Sequence, residues 1–95
     1  FEYIFSRELN AIGKKEDLVI TFSTSGNSKN IINLINECEL LEIPFFIFTG
    51  KTGGILSKYS DSLVMVPSNE TAIIQQIHIL IGHVICKNIE IPFLN

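Results

Sequence analysis

Basic residues are scarce in this 95-residue chain. Seven Lys and Arg stand against ten Asp and Glu, for a formal net charge of −3. The seven are scattered, so there is no basic stripe of the kind that follows a nucleic-acid backbone, and no nucleic-acid partner is expected. Only two cysteines occur, Cys38 and Cys86, far apart and outside any CxxC pair. With no secretory leader in view, that usage points to a reduced, cytoplasmic setting. No uninterrupted apolar run approaches the ~18–20 residues that span a bilayer. The most apolar stretch, residues 72–86, is broken by Gln75, Gln76, His78 and His83, so no membrane association is expected. Neither GxGxxG nor GxxxxGK[ST] is present, which removes the two common glycine-rich nucleotide loops.

What the chain does have is apolar mass: 46% of residues, with a mean hydropathy of +0.35. That is rich for one small domain, whose surface-to-volume ratio is unfavourable. Some of this apolar surface is therefore expected to meet further chain or another subunit. The first residue, Phe1, already falls within a helical pattern, so residues 1–95 read as a fragment, or as the ordered part of a longer chain.

Periodicity organises the chain. Phe1, Ile4, Phe5, Leu9 and Ile12 recur at helical spacing, and Gly13 suits a helix stop. Residues 17–22 form an apolar run that reads as a buried strand, and Ile31, Leu34, Ile35, Cys38 and Leu41 mark a second amphipathic helix. Residues 44–48 predict a second buried strand, the TGKTGG segment at 49–54 a turn, residues 55–59 a short helix and residues 62–66 a third strand. Ser68 or Asn69 is the expected cap of a last helix over residues 71–90, which Pro92 keeps from extending far. The order α-β-α-β-α-β-α, with continuous rather than alternating apolar strands, predicts an α/β fold: a parallel sheet with helices on both faces, in three layers.

Between the first strand and the second helix lies TFSTSGNSKN, residues 21–30. In open parallel sheets, ligands bind beyond the carboxyl ends of the strands. There Ser23, Thr24, Ser25 and Ser28 supply neutral donors, Gly26 permits close backbone approach, and the helix start favours an anion. The expected ligand is a small phosphate ester. The plainer alternative is that these hydroxyls satisfy only the turn and the helix cap. On the last helix, at 100° per residue, His83 lies ~80° round from Gln75 and ~12 Å along the axis. Imidazole titrates near neutrality, so His83 suits acid/base work with Gln75 as a ligand or orienter. A satisfied core histidine is the competing reading. His78 faces elsewhere and reads as structural. Lys51, Thr52 and the two following glycines are placed to approach a ligand, but a simple turn is the plainer reading, and both cysteines read as packing residues.

DLVITFSTSGNSKNIINLI resembles the core of a sugar isomerase (SIS) domain, a flavodoxin-like three-layer αβα fold. FEYIFSRELNAIGKKED, FTGKTGG and ETAIIQQIHILIGHVIC extend the resemblance, in order, to the C-terminal half of the phosphoheptose isomerase family. The resemblance implies an aldose–ketose isomerase acting on a phosphorylated seven-carbon sugar, sedoheptulose 7-phosphate, in surface-glycan synthesis. It implies a homotetramer with active sites at subunit interfaces. It matches Gln75 to a residue touching substrate and metal, and His83 to the acid/base that also ligates zinc in zinc-bearing members. Zinc is therefore an expected cofactor, through Gln75 and His83. The family's other key residues, a His–Glu pair, an Asn and an Asp, match nothing in residues 1–95. Ile73 stands where many relatives carry Arg. Non-catalytic SIS modules, which sense sugar phosphates or bind a replication initiator, are the alternative. The initiator-binding relatives lack a histidine matching His83.

Overall fold

A computed structural model describes residues 2–93. Its elements are α1 (Ile4–Ile12), β1 (Val19–Ser23), α2 (Lys29–Leu41), β2 (Phe45–Thr49), two 3₁₀ turns (Gly54–Lys58 and Ser60–Ser62), β3 (Leu63–Met65), α3 (Thr71–Glu90) and a closing 3₁₀ turn, Ile91–Phe93. The strands form one parallel sheet in the order β1-β2-β3, with Phe22 opposite Phe48 and Phe48 opposite Val64. The α/β class read from periodicity is therefore what the chain adopts. Phe1, the first residue of the expected helical stripe, lies outside the described residues.

Alternation along the strands divides the two faces. On one, Ile47 of β2 meets Ile35 of α2 and Leu56 of the first 3₁₀ turn, all fully buried, with Ile31, Phe45, Tyr59 and Leu63 around them. This is the densest part of the core, and α1 packs outside it on α2. On the other face, Phe22 and Phe48 stack at 5.1 Å and α3 lies over Phe22. Two local devices fix the helix ends. Gly13 closes α1 by donating its N–H to the Leu9 carbonyl (2.7 Å). At the end of α2, Glu42 turns left-handed (φ 57°) while Ile43 N–H reaches the Cys38 carbonyl at 2.9 Å and Glu42 N–H the Glu39 carbonyl at 3.3 Å. That pair of bonds is a Schellman closure, and it buries Ile43 beside Cys38.

Several expectations shift. β1 runs to Ser23, so this residue ends the strand rather than opening the loop. The helix expected over 55–59 is a 3₁₀ turn followed by a second one; the short link between a glycine-rich turn and a strand leaves too little chain for α-helical pairing to propagate. α3 has the expected bounds, but Glu70 occupies its cap, with no side-chain cap bond. Ser68 instead accepts the Glu70 N–H (3.1 Å) and shapes the approach to the helix.

The largest departure concerns how α3 is covered. Its composition predicts a mostly buried helix, yet only Ile74 and His78 are buried. Ile79 and Leu80 are 59% and 62% exposed, and Val84 and Ile89 are also open. The described residues place one sheet face beneath this helix and nothing over its other sides. By length and mean hydropathy the segment Thr71–Phe93 qualifies as a candidate membrane span. Its packed Ile74–His78 face, two glutamines and two histidines fit a domain helix better, since buried polar groups are costly in hydrocarbon.

Candidate functional site

The carboxyl ends of all three strands point to the same edge of the domain, and the loops that follow them are tied together. Gly26 is the centre of the knot. It turns with φ +73°, and its N–H is held by Ser23 Oγ (3.1 Å). A Cβ placed there would lie 1.9 Å from the Gly53 carbonyl oxygen, so the loops after β1 and β2 touch backbone to backbone. Leu56 N–H donates to the Gly26 carbonyl (3.1 Å), Ile55 N–H to Asn27 Oδ1 (2.8 Å) and Gly50 N–H to the Thr24 carbonyl (3.1 Å). Lys51 N–H then donates to the Ser68 carbonyl (3.1 Å), which joins the loop after β3. Each bond satisfies a backbone group that a loop would otherwise leave to water, and together they hold three loops as one rigid rim.

Two hollows flank this rim. The larger, an open cleft of about 620 Å³, is lined by Phe22, Thr24, Gln75, His78, Ile79, Gly82, His83 and Cys86. Gln75 and His83, paired from helical geometry alone, thus share one wall, and Thr24 of the loop faces them. Gly82 keeps that wall low: a Cβ there would have Phe22 at 3.7 Å as its nearest neighbour. Cys86, expected to be a packing residue, is exposed on this cleft, whereas Cys38 is buried as expected. Burial pushes the Cys38 thiol up to about 11, with Glu37 and Glu39 adding to the rise, so it is not a nucleophile.

His78 also borders the cleft but is committed elsewhere. Its Nε2 lies 3.1 Å from the Thr49 carbonyl, which only accepts, so Nε2 carries the proton. The same carbonyl accepts Val66 N–H at 2.9 Å, and the His78 ring tilts against Phe22 at 5.2 Å. His78 therefore pins α3 to the end of β2, the structural part assigned to it from sequence, and so sets where Gln75 and His83 stand.

The second hollow, about 260 Å³, lies between the three loops and the start of α3. Thr24, Ser25 and Asn27 contribute from the first loop, Gly50, Lys51 and Thr52 from the second, Ser68, Asn69 and Thr71 from the third. Of the four hydroxyl residues singled out in the sequence, Thr24 and Ser25 reach these hollows. Ser23 is buried and holds the turn. Ser28 stands at the cap of α2 without a side-chain cap bond and lines neither hollow. Lys51 and Ser68 escape a reading of TFSTSGNSKN alone. The usable signal is the parallel sheet itself, which brings every strand's following loop to one edge.

Zinc can be tested against the donors present. Structural and catalytic zinc takes His, Cys or carboxylate ligands in tetrahedral sets. Among the described residues no three such side chains come together. The cleft offers His83 and the Gln75 carbonyl oxygen, and the His78 Nε2 is already engaged. The described residues do not make a zinc centre by themselves.

The chain is thus a parallel α/β domain with a rigid, hydroxyl-lined rim beyond its strand ends. A match to the SIS domain covers residues 2–82, and the chain belongs to the SIS-domain family. It is 46% identical over 90 residues to a phosphoheptose isomerase of Aneurinibacillus thermoaerophilus, covering 95% of this chain and 46% of that relative. It is 40% identical over 93 residues to phosphoheptose isomerase 1 of Campylobacter jejuni, covering 98% of this chain and 50% of the relative. Among solved structures, a phosphoheptose isomerase from Neisseria gonorrhoeae superposes with a TM-score of 0.85 at 35% identity, over 94% of this chain and 51% of that one. The chain spans about half the length of the curated relatives it matches.

Proposed function

We propose that this chain carries part of the active site of an aldose–ketose isomerase that converts sedoheptulose 7-phosphate to D-glycero-D-manno-heptose 7-phosphate. The observation that carries the reading is the shared cleft: His83, Gln75 and Thr24 face one space beside a rim of hydroxyl donors. The names of the relatives, all phosphoheptose isomerases, support it.

In this reading the loop at residues 23–28 grips the phosphate. Binding energy gained there, remote from the reacting carbons, orients the chain of the sugar. The chemistry needs a base to remove the proton alpha to the carbonyl and an acid to return it to the neighbouring carbon, through an enediol(ate). His83 serves one role: it is exposed to the cleft and shares its wall with Gln75. The second group, by family resemblance a glutamate, comes from outside residues 1–95. Gln75 orients hydroxyl or carbonyl oxygens through its amide. Zinc, expected from the resemblance, would draw two donors here, His83 and Gln75, and the rest from elsewhere; bound there, it would polarise the sugar oxygens. The exposed apolar sides of α3 suit burial against further chain or another subunit, and the family resemblance makes that assembly a homotetramer with interfacial sites, in the cytoplasm.

The test is turnover of sedoheptulose 7-phosphate by the full-length protein and its His83→Ala variant, with and without added zinc. Loss of about 10²–10⁴ in kcat with phosphate binding retained is the expected result. A folded wild-type protein that binds inorganic phosphate but turns over no sugar overturns the reading and favours a sensing or protein-binding module.

A further inference from the structure

Gly82 lies in the middle of α3, in unbroken helix and without the positive φ of Gly26, Gly53 and Gly54. A glycine there weakens the helix relative to alanine, because the unfolded chain has more freedom to lose. The other glycines have a reason within the chain. A Cβ at Gly13, Gly26, Gly50 or Gly54 would come closer than 3.0 Å to another atom, and Gly53 turns with φ +70°. At Gly82, outside its own helix, the Phe22 ring is the one group among the described residues within 4 Å, and its 3.7 Å is an ordinary van der Waals contact. Neither backbone conformation nor packing among the described residues asks for glycine at this position. What the missing side chain leaves is space, and the space belongs to the larger cleft, which Gly82 lines with Phe22, Gln75 and His83. Gln75 and Gly82 stand two turns apart on one line of the helix, and His83 is the next residue in the chain. A side chain at residue 82 would point toward the Phe22 ring and into the cleft that His83 borders.

We infer that Gly82 is a specificity-determining position: the notch left by its missing side chain is taken by the carbon chain of the sugar where that chain passes His83. The inference rests on the proposed isomerase reading for what fills the notch, but not for the notch itself. An acid or base must come within ~2.6–3.2 Å of the group whose proton it moves. A substrate that close to the His83 imidazole also lies against its neighbours on the cleft wall, Ile79, Gly82 and Cys86. Of these, only Gly82 presents bare backbone, so the sugar sits lowest there, with its C–H edges toward the Phe22 ring. That ring does not give way, being stacked on Phe48 at 5.1 Å and tilted against His78 at 5.2 Å. The notch therefore has a fixed floor, and its depth is set at residue 82. An open-chain sugar phosphate is thin enough for such a slot. Each carbon added at residue 82 removes room that the packed floor cannot return.

The experiment uses the full-length protein and two variants of graded size, Gly82→Ala and Gly82→Leu. Calorimetry reads the dissociation constants of sedoheptulose 7-phosphate and of inorganic phosphate; turnover gives kcat/KM, and melting gives stability. Gly82→Leu is expected to weaken sugar binding at least about tenfold and to lower kcat/KM by no less. Gly82→Ala should do the same by a smaller factor while raising the melting temperature by about 2 °C, so that binding and stability move in opposite directions. Inorganic phosphate, which has no carbon chain to cross residue 82, should bind both variants as it binds wild type. Sugar affinity within twofold of wild type in Gly82→Leu, or in Gly82→Ala should the larger variant not fold, overturns the assignment. A lower melting temperature in Gly82→Ala also overturns it, because the glycine then serves packing against further chain. If wild type binds the sugar phosphate and the variants weaken it, but no sugar turns over, the notch stands and the isomerase reading falls. A wild type that binds no sedoheptulose 7-phosphate overturns both.

Discussion

Gly26→Ala is the substitution that most directly tests how the rim is built. Two costs are forced at once. The residue must hold φ +73°, which for an L side chain costs ~1–2 kcal/mol. Its new Cβ would lie 1.9 Å from the Gly53 oxygen and 2.4 Å from the Gly53 carbonyl carbon, and both are backbone, so neither swings aside like a side-chain tip. Reaching even a tight contact means separating the two loops by roughly 1 Å. That movement strains the Leu56–Gly26 and Ile55–Asn27 hydrogen bonds, each worth ~1 kcal/mol. The total is about 3–4 kcal/mol, a large part of the ~5–15 kcal/mol that typically holds a domain folded. Urea denaturation of the full-length protein should show the loss as a lower midpoint at unchanged slope. Phosphate affinity should drop with it if the loop at residues 23–28 holds the phosphate as proposed. Gly82→Ala is the control: with Phe22 at 3.7 Å there is room, and a helix-interior alanine is favoured by ~0.5–1 kcal/mol. A Gly26→Ala protein within 0.5 kcal/mol of wild type would refute the backbone clasp.

Two further outcomes follow from the same geometry. Glu42→Gly should stabilise the protein by up to ~1 kcal/mol, since Glu42 holds a left-handed φ of 57° and its ion pair with Lys15 is exposed on both sides; thermal melting checks it. Thiol labelling should find one fast cysteine, Cys86, and one slow, Cys38. Because burial raises the Cys38 thiol from 9.0 to about 11, the folded form holds its proton more tightly than the unfolded form. The contribution is therefore complete below pH 9 and is lost as pH rises toward 11; Cys38→Ala should flatten that alkaline loss in stability measured against pH.

The alternation of apolar runs and helical stripes was enough for the α/β class, for the limits of α3 and for a loop between β1 and α2. Those are local properties: a period of 3.6 or a continuous apolar run is written in neighbouring residues. The shared wall of Gln75 and His83 was legible for the same reason, since one helix carries both. The same logic misplaced Ser23, because a hydroxyl in a loop-like sequence is also an acceptable strand end when its oxygen can hold a turn. It also set the cap of α3 at Ser68 or Asn69, whereas Glu70 occupies it and Ser68 Oγ accepts the Glu70 N–H.

By itself, then, the sequence determined the elements, their order and the helix face that carries Gln75 and His83 together. Tertiary structure alone decided what the loops do together. Residues 26, 51 and 68 are separated by long stretches of chain, and only the parallel register of β1, β2 and β3 brings their loops to one edge. The uncovered sides of α3 were equally beyond reach. Hydropathy reports that a residue prefers burial, whereas the packing of the chain decides which of those residues find a partner.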